Sequence, residues 1–120
     1  MARTERLICG SAALADGGKG VRFTLERHGT AASAFVIRHR GRVFAYLNNC
    51  AHIPIELDWV EGEFFDKSGL YLICSTHGAT YEPATGYCVM GPCKGQRLVA
   101  LQVAEHDGEV YLTENGNHDG

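Results

Sequence analysis

Short apolar or alternating runs recur along the chain between turn residues, and no segment sustains the 3.6-residue period of an amphipathic helix. The pattern predicts an all-β fold, an antiparallel β-sandwich, with strands over residues 21–25, 34–38, 43–47, 71–73, 80–82, 87–90, 97–103 and 109–113. His39-Arg40-Gly41-Arg42 is expected to join two strands as a hairpin. Asp107-Gly108 is the dipeptide that a type I′ turn prefers, because both of its central residues need positive φ. In Glu82-Pro83-Ala84-Thr85-Gly86 the proline fixes φ and the glycine tolerates the left-handed region, so another turn is expected there.

Residues 51–69 interrupt the strand pattern and read as inserted material. Only Phe64-Phe65 looks able to pair, with residues 71–73 across Asp66-Lys67-Ser68-Gly69. The polar ends, 1–5 and 115–120, are expected to be loose. Near the start, Arg3 and Arg6 precede Leu7-Ile8-Cys9 in a faint imitation of a secretion signal. Glu5, Gly10 and Ser11 interrupt it, and an edge strand over 7–9 accounts for the same residues, so a cytoplasmic protein is expected.

A chain of 120 residues is the size of one ordinary domain, too small for a core plus a separate catalytic domain. A formal charge of −3 gives no reason to expect nucleic acid or an anionic membrane as partner, and no apolar run reaches the length of a membrane span. The five cysteines, Cys9, Cys50, Cys74, Cys88 and Cys93, are odd in number and do not form the dense framework of a small secreted fold.

Two ligand-like pairs carry the chemistry: Cys50-x-His52 and Cys74-x-x-His77. Thiolate and imidazole together hold either zinc or an iron-sulfur cluster. In a Rieske centre two cysteines bind one iron and two histidines the other. Two loops that each offer one ligand of each kind meet that demand, whereas the usual zinc finger groups its cysteines together and its histidines together.

The run Cys74-Ser75-Thr76-His77-Gly78-Ala79-Thr80-Tyr81-Glu82, followed by Thr85-Gly86 and Gly91-Pro92, closely resembles the C-x-x-H-G-x-x-[FY]-[DE] … T-G … G-P signature of Rieske 2Fe-2S proteins. The resemblance covers most of the chain from about residue 40. It implies one Rieske domain over 1–120, with a cluster-binding subdomain at about 48–93. It also implies one 2Fe-2S cluster per chain, held by Cys50 and Cys74 on the inner iron and by His52 and His77 on the outer. Gly78 would let the second loop approach the cluster, and Gly91-Pro92 would close over it. Ile53 and Pro54, directly after the first pair, read as a shield against water.

The chain's length and its ending over 98–113 resemble the soluble Rieske ferredoxins that feed ring-hydroxylating oxygenases, and are also similar to the small Rieske-like subunit of nitrite reductase. A zinc-stabilised interaction module is the alternative from another class. High-potential members of the family carry an extra cysteine in each cluster loop, joined as a disulfide. The matching positions here are Ile55 and Thr76. Ala79 stands where those proteins have a serine that donates to the cluster, while Tyr81 is kept. Fewer donors imply a potential towards the low end of the range of about −150 to +300 mV for such centres.

No nucleophile with its base and no substrate pocket can be read from the chain, so an electron carrier is expected rather than an enzyme, served by a flavin-dependent reductase and a terminal oxygenase or other redox protein. His28, His39, His106 and His118 read as solvated loop or tail residues. Cys88 reads as a small core residue and Cys93 as a loop thiol, in preference to a redox pair. Glu56, Asp58, Glu61, Glu63 and Asp66 surround Trp59, Phe64 and Phe65. They fit equally a solvated loop over a small satellite core or an acidic face for a basic partner.

Overall fold

The continuous apolar stretch Ala34-Phe35-Val36-Ile37 is fully buried on both faces, and it forms the centre of the molecule. The computed structural model describes residues 4–50, 55–58, 60–76, 78–93 and 95–114. Its strands are β1 (Thr4–Gly10), β2 (Val21–Arg27), β3 (Thr30–His39), β4 (Arg42–Leu47), β5 (Leu72–Ile73), β6 (Thr80–Tyr81), β7 (Cys88–Met90), β8 (Ala100–Leu101), β9 (Val103–His106) and β10 (Glu109–Glu114). A single 3-10 turn, Ser11–Ala13, is the only helical element among the described residues.

The strands form three antiparallel sheets, ordered β1-β10-β9, β2-β3-β4-β8 and β5-β6-β7. Because successive side chains on a strand point to opposite faces, β3 and β4 divide their residues between two cores. Phe35, Ile37 and Tyr46 join Leu72, Tyr81 and Cys88 of the third sheet. Val36 and Ala45 join Leu14 and Val110, with Ile8 and Val103 packed against them. The central sheet is thus covered on both sides, which is why its middle strand lacks a polar alternation.

The expected hairpins form. Arg40 and Gly41 have φ of 54° and 81°, and Asp107 and Gly108 of 54° and 76°, the positive pair that a type I′ turn requires. Strand 7–9 is found within β1, which pairs only with β10 and lies at a sheet edge. The strand expected over 97–103 is instead two short pieces, β8 on the central sheet and β9 on the first, so the chain changes sheets at Gln102.

Phe65 bridges Leu72 as expected, and Ile73 donates to the Phe64 carbonyl at 2.9 Å. Asp66 Oδ1 accepts from the amides of Ser68 and Gly69, both at 3.1 Å, and closes the turn between them. The insertion is nevertheless no mere satellite. Leu57 and Phe64 are fully buried in the main core, and Phe64 stacks on Phe35 with ring centroids 3.9 Å apart. Removing a buried phenylalanine of this kind costs roughly 3–5 kcal/mol.

Two histidines also differ from expectation. His39 is buried at the end of β3 and stacks on Phe65, and His106 lies on β9 against Glu5, Asp107 and Tyr111. His28 occupies an exposed turn, as expected, and His118 lies outside the described residues.

Candidate metal centre

The described ends of the two cysteine-bearing segments meet in one buried cluster beside the third sheet. In the first, the Cys50 amide donates to the Ile55 carbonyl at 2.7 Å, drawing the ends of the loop together. In the second, the Cys74 amide donates to Ala79 O at 2.8 Å and the Gly78 amide donates to Cys74 O at 2.9 Å. Gly78 takes φ of 74°, and its carbonyl accepts from the Thr80 hydroxyl at 2.9 Å. The loops are tied to each other where the Ser75 amide donates to Leu57 O at 3.0 Å.

This arrangement buries both cysteines, Cys50 at 3% and Cys74 at 0% exposure, in one apolar cluster that also holds Ala79 and Tyr81. The Tyr81 hydroxyl lies 3.2 Å from Cys50 Sγ. Over the second loop sits the turn carrying Gly91 and Pro92, both exposed. Gly91 has φ of 102°, and a Cβ there would come within 2.9 Å of Ala79 Cα, so only glycine permits this approach.

Of the eight residues expected at the site, Cys50, Cys74, Gly78, Ala79, Tyr81 and Pro92 are described; His52 and His77, with Ile53 and Pro54, lie outside the described residues. Among the described residues no group of three or more histidine, cysteine, aspartate or glutamate side chains gathers as a metal site. The described part suits a sulfide cluster: two buried sulfurs, a phenol at hydrogen-bond distance from one of them, and loops pinned by backbone bonds. Ile55 is half-buried and packs against the same core, and Thr76 is exposed, so no cysteine bridge joins the two loops at these positions.

Sequence reasoning missed three parts of this site. The first is a buried clamp: Asn48 Oδ1 accepts from the Leu57 amide at 2.8 Å while its Nδ2 donates to Asp58 Oδ1 at 3.0 Å. Asp58 Oδ2 also accepts from the Gly62 amide at 3.0 Å. The clamp therefore braces the chain just before and just after the first loop. Asp58 is buried, which removes it from an acidic docking face, while Glu56 pairs with Arg22 and stays exposed. The second is Tyr46, whose hydroxyl donates to Pro83 O at 2.7 Å and is pushed up to about 12 by burial; it fixes the turn after β6.

The third is a correction. Cys88 and Cys93 are joined as a disulfide, with Cα atoms 5.9 Å apart. Reading them as unlinked failed because the reversal at Gly91-Pro92 brings Cys93 back to Cys88 at the start of β7. The spacing C-x₄-C around Gly-Pro was the available signal.

A family model, the Rieske [2Fe-2S] domain, matches residues 5–114. The chain belongs to the Rieske family. Its all-β architecture agrees with solved members. It is similar to a Sphingomonas yanoikuyae B1 ferredoxin, with TM-score 0.73 and 24% identity over 93% of this chain and 100% of that one. A ferredoxin of carbazole 1,9a-dioxygenase from Nocardioides aromaticivorans IC177 superposes with TM-score 0.69 and 21% identity, covering 93% of this Rieske chain and 99% of its own. A third match comes from a complex of reduced oxygenase and oxidised ferredoxin in carbazole 1,9a-dioxygenase, at TM-score 0.68 and 25% identity, covering 90% and 91% of the two chains. No curated protein sequence matches the chain. No helix among the described residues is long and apolar enough to cross a membrane.

Proposed function

We propose that this protein is a Rieske-type 2Fe-2S ferredoxin, a single domain over 1–120 that takes one electron from a flavin-dependent reductase and passes it to a terminal oxygenase. The observation that carries the reading is the buried sulfur pair of Cys50 and Cys74, with the Tyr81 hydroxyl 3.2 Å from the Cys50 sulfur. Cys50 and Cys74 are the proposed ligands of the inner iron, and His52 and His77 those of the outer. A bound cluster supplies a one-electron couple.

What the protein adds is environment. The apolar core keeps water from the sulfurs, and the phenol stabilises negative charge on one of them. Ala79, fully buried, offers no hydroxyl from its position. This favours a potential low in the Rieske range, and a midpoint above roughly +100 mV would refute that part of the reading.

The similar ferredoxins of oxygenase systems support an oxygenase as electron acceptor, and the proposed location is the cytoplasm. Stepwise reduction under anaerobic conditions tests the function. One electron per chain is expected, returned on mixing with an oxidised Rieske oxygenase; no electron uptake would refute it.

A further inference from the structure

The Cys88–Cys93 disulfide lies in the same apolar cluster as Cys50 and Cys74, so it has a place in the architecture of the site. Cys88 opens β7, directly opposite Tyr81 in the β6–β7 ladder, and Tyr81 reaches the Cys50 sulfur. Between the two linked cysteines run Val89, Met90, Gly91 and Pro92, all of them exposed, with Met90 at 63%. Gly91 touches the Gly78-Ala79 segment of the second loop, where even a methyl group would not fit. On the far side, the Cys88 amide donates to Gln96 O and the Gln96 amide donates to Cys93 O, each at 2.8 Å.

Val89 and Met90 belong to β7 and are laddered to β6, but the Gly91-Pro92 reversal beyond them is exposed and has little apolar area of its own to hold it on Ala79. A covalent link between its two ends supplies that restraint. We infer that the Cys88–Cys93 disulfide is a positioning element that keeps the Gly91-Pro92 loop closed on the second loop and so excludes water from the Cys50–Cys74 sulfur pair. The inference rests on the function proposed above, since the sulfur pair matters as a cluster site. It assigns the covalent restraint to the loop over the cluster rather than to a link between the cluster loops.

Burial protects the bond itself. Cys93 is 0% and Cys88 6% exposed, so an attacking thiolate reaches neither sulfur without prior opening of the loop. The bridge is therefore compatible with a reducing compartment, where exposed disulfides are lost.

The chain provides a direct assay of the bond. Its two methionines are Met1 and Met90, so cyanogen bromide cuts between the linked cysteines, and only Cys93 lies beyond the cut. Cleavage of the purified holoprotein without reductant should leave the fragments 2–90 and 91–120 joined. Addition of a phosphine should separate them: one S–S bond is replaced by two S–H groups as the phosphine becomes its oxide with oxygen from water. The C88A variant should give separate fragments throughout. Wild-type fragments that separate without reductant would overturn the assignment.

The positioning role is read in the C88A/C93A double variant, which keeps both sites apolar. Iron released to excess chelator should leave at least about tenfold faster than from wild type. The midpoint potential should shift upward, because water admitted to the cluster favours the more negatively charged reduced state. A fold-only role would lower the melting temperature without moving the potential. Equal release rates and equal potentials would overturn the inference. Should the variant fold poorly, wild-type holoprotein treated with phosphine serves the same comparison. A wild-type chain that binds no iron would refute the proposed function instead, and the fragment assay would still decide the bond.

Discussion

The phenol oxygen of Tyr81 lies 3.2 Å from the sulfur of Cys50, and both residues are buried, at 0% and 3% exposure. A hydroxyl so placed donates to a thiolate in a medium of low dielectric, where the bond is stronger than in water. Its effect grows as negative charge on the sulfur grows, so it favours the reduced cluster. Tyr81→Phe should lower the midpoint potential by about 30–60 mV, roughly 0.7–1.4 kcal/mol for one electron. Protein-film voltammetry reads this directly, and an unchanged potential would mean that the hydroxyl does not serve the cluster.

The clamp made by Asn48 and Asp58 has a separate consequence. Asp58→Ala leaves the Asn48 amide and the Gly62 amide without their buried acceptor and should cost about 2–4 kcal/mol in urea unfolding. Asp58→Asn, which retains one acceptor oxygen, should cost less. Equal stability of Asp58→Ala and wild type would show that the clamp is idle.

At Gly91 the constraint is steric. Gly91→Ala places a methyl group 2.9 Å from Ala79 Cα in a backbone region that L residues avoid. A loss of about 1–3 kcal/mol is expected, together with faster cluster release. The same change at Gly95, where a Cβ meets nothing within 4 Å, adds no clash and is the matched control for a positive-φ glycine. Identical behaviour of the two variants would contradict the close approach at Gly91.

The ion pair of Arg38 and Glu105 joins the central sheet to the first, with Nη1 and Oε1 3.0 Å apart. The guanidinium hydrogen bond holds the Glu105 carboxyl down at about 2, from an ordinary 4.5. A depressed acid stabilises the fold at pH above its unfolded value and loses that contribution as pH falls from about 4.5 through about 2. Glu105→Gln should therefore be less stable than wild type at pH 7, by about 1 kcal/mol because water screens a partly exposed pair. The difference should vanish near pH 2. A gap independent of pH would assign the loss to packing instead.

These residues show what kind of information the sequence carried. Arg40-Gly41 and Asp107-Gly108 were legible because a type I′ turn is decided by its own two residues. The turns at Cys50 and at Cys74-Gly78 were legible for the same reason, since each is closed by backbone bonds within a few residues of itself. Phe64 was undervalued because its burial depends on Phe35, far away in sequence, and His39 because Phe65 covers it. Cys88 and Cys93, only five residues apart, carried a local signal in their spacing that was passed over, whereas Asn48 and Asp58 become partners only once the first loop has folded back. No periodicity registers such a pairing.

The central claim is that the sulfurs of Cys50 and Cys74, with His52 and His77, hold a Rieske cluster. The most direct measurement is low-temperature EPR of the dithionite-reduced protein, combined with iron, acid-labile sulfide and zinc analysis of the same sample. The account predicts a red-brown protein with two irons and two sulfides per chain and a reduced-state signal of low average g, as a centre with histidines on one iron gives. A colourless protein containing one zinc, or an iron-sulfur signal that survives in the His52→Ala and His77→Ala variants, would contradict it.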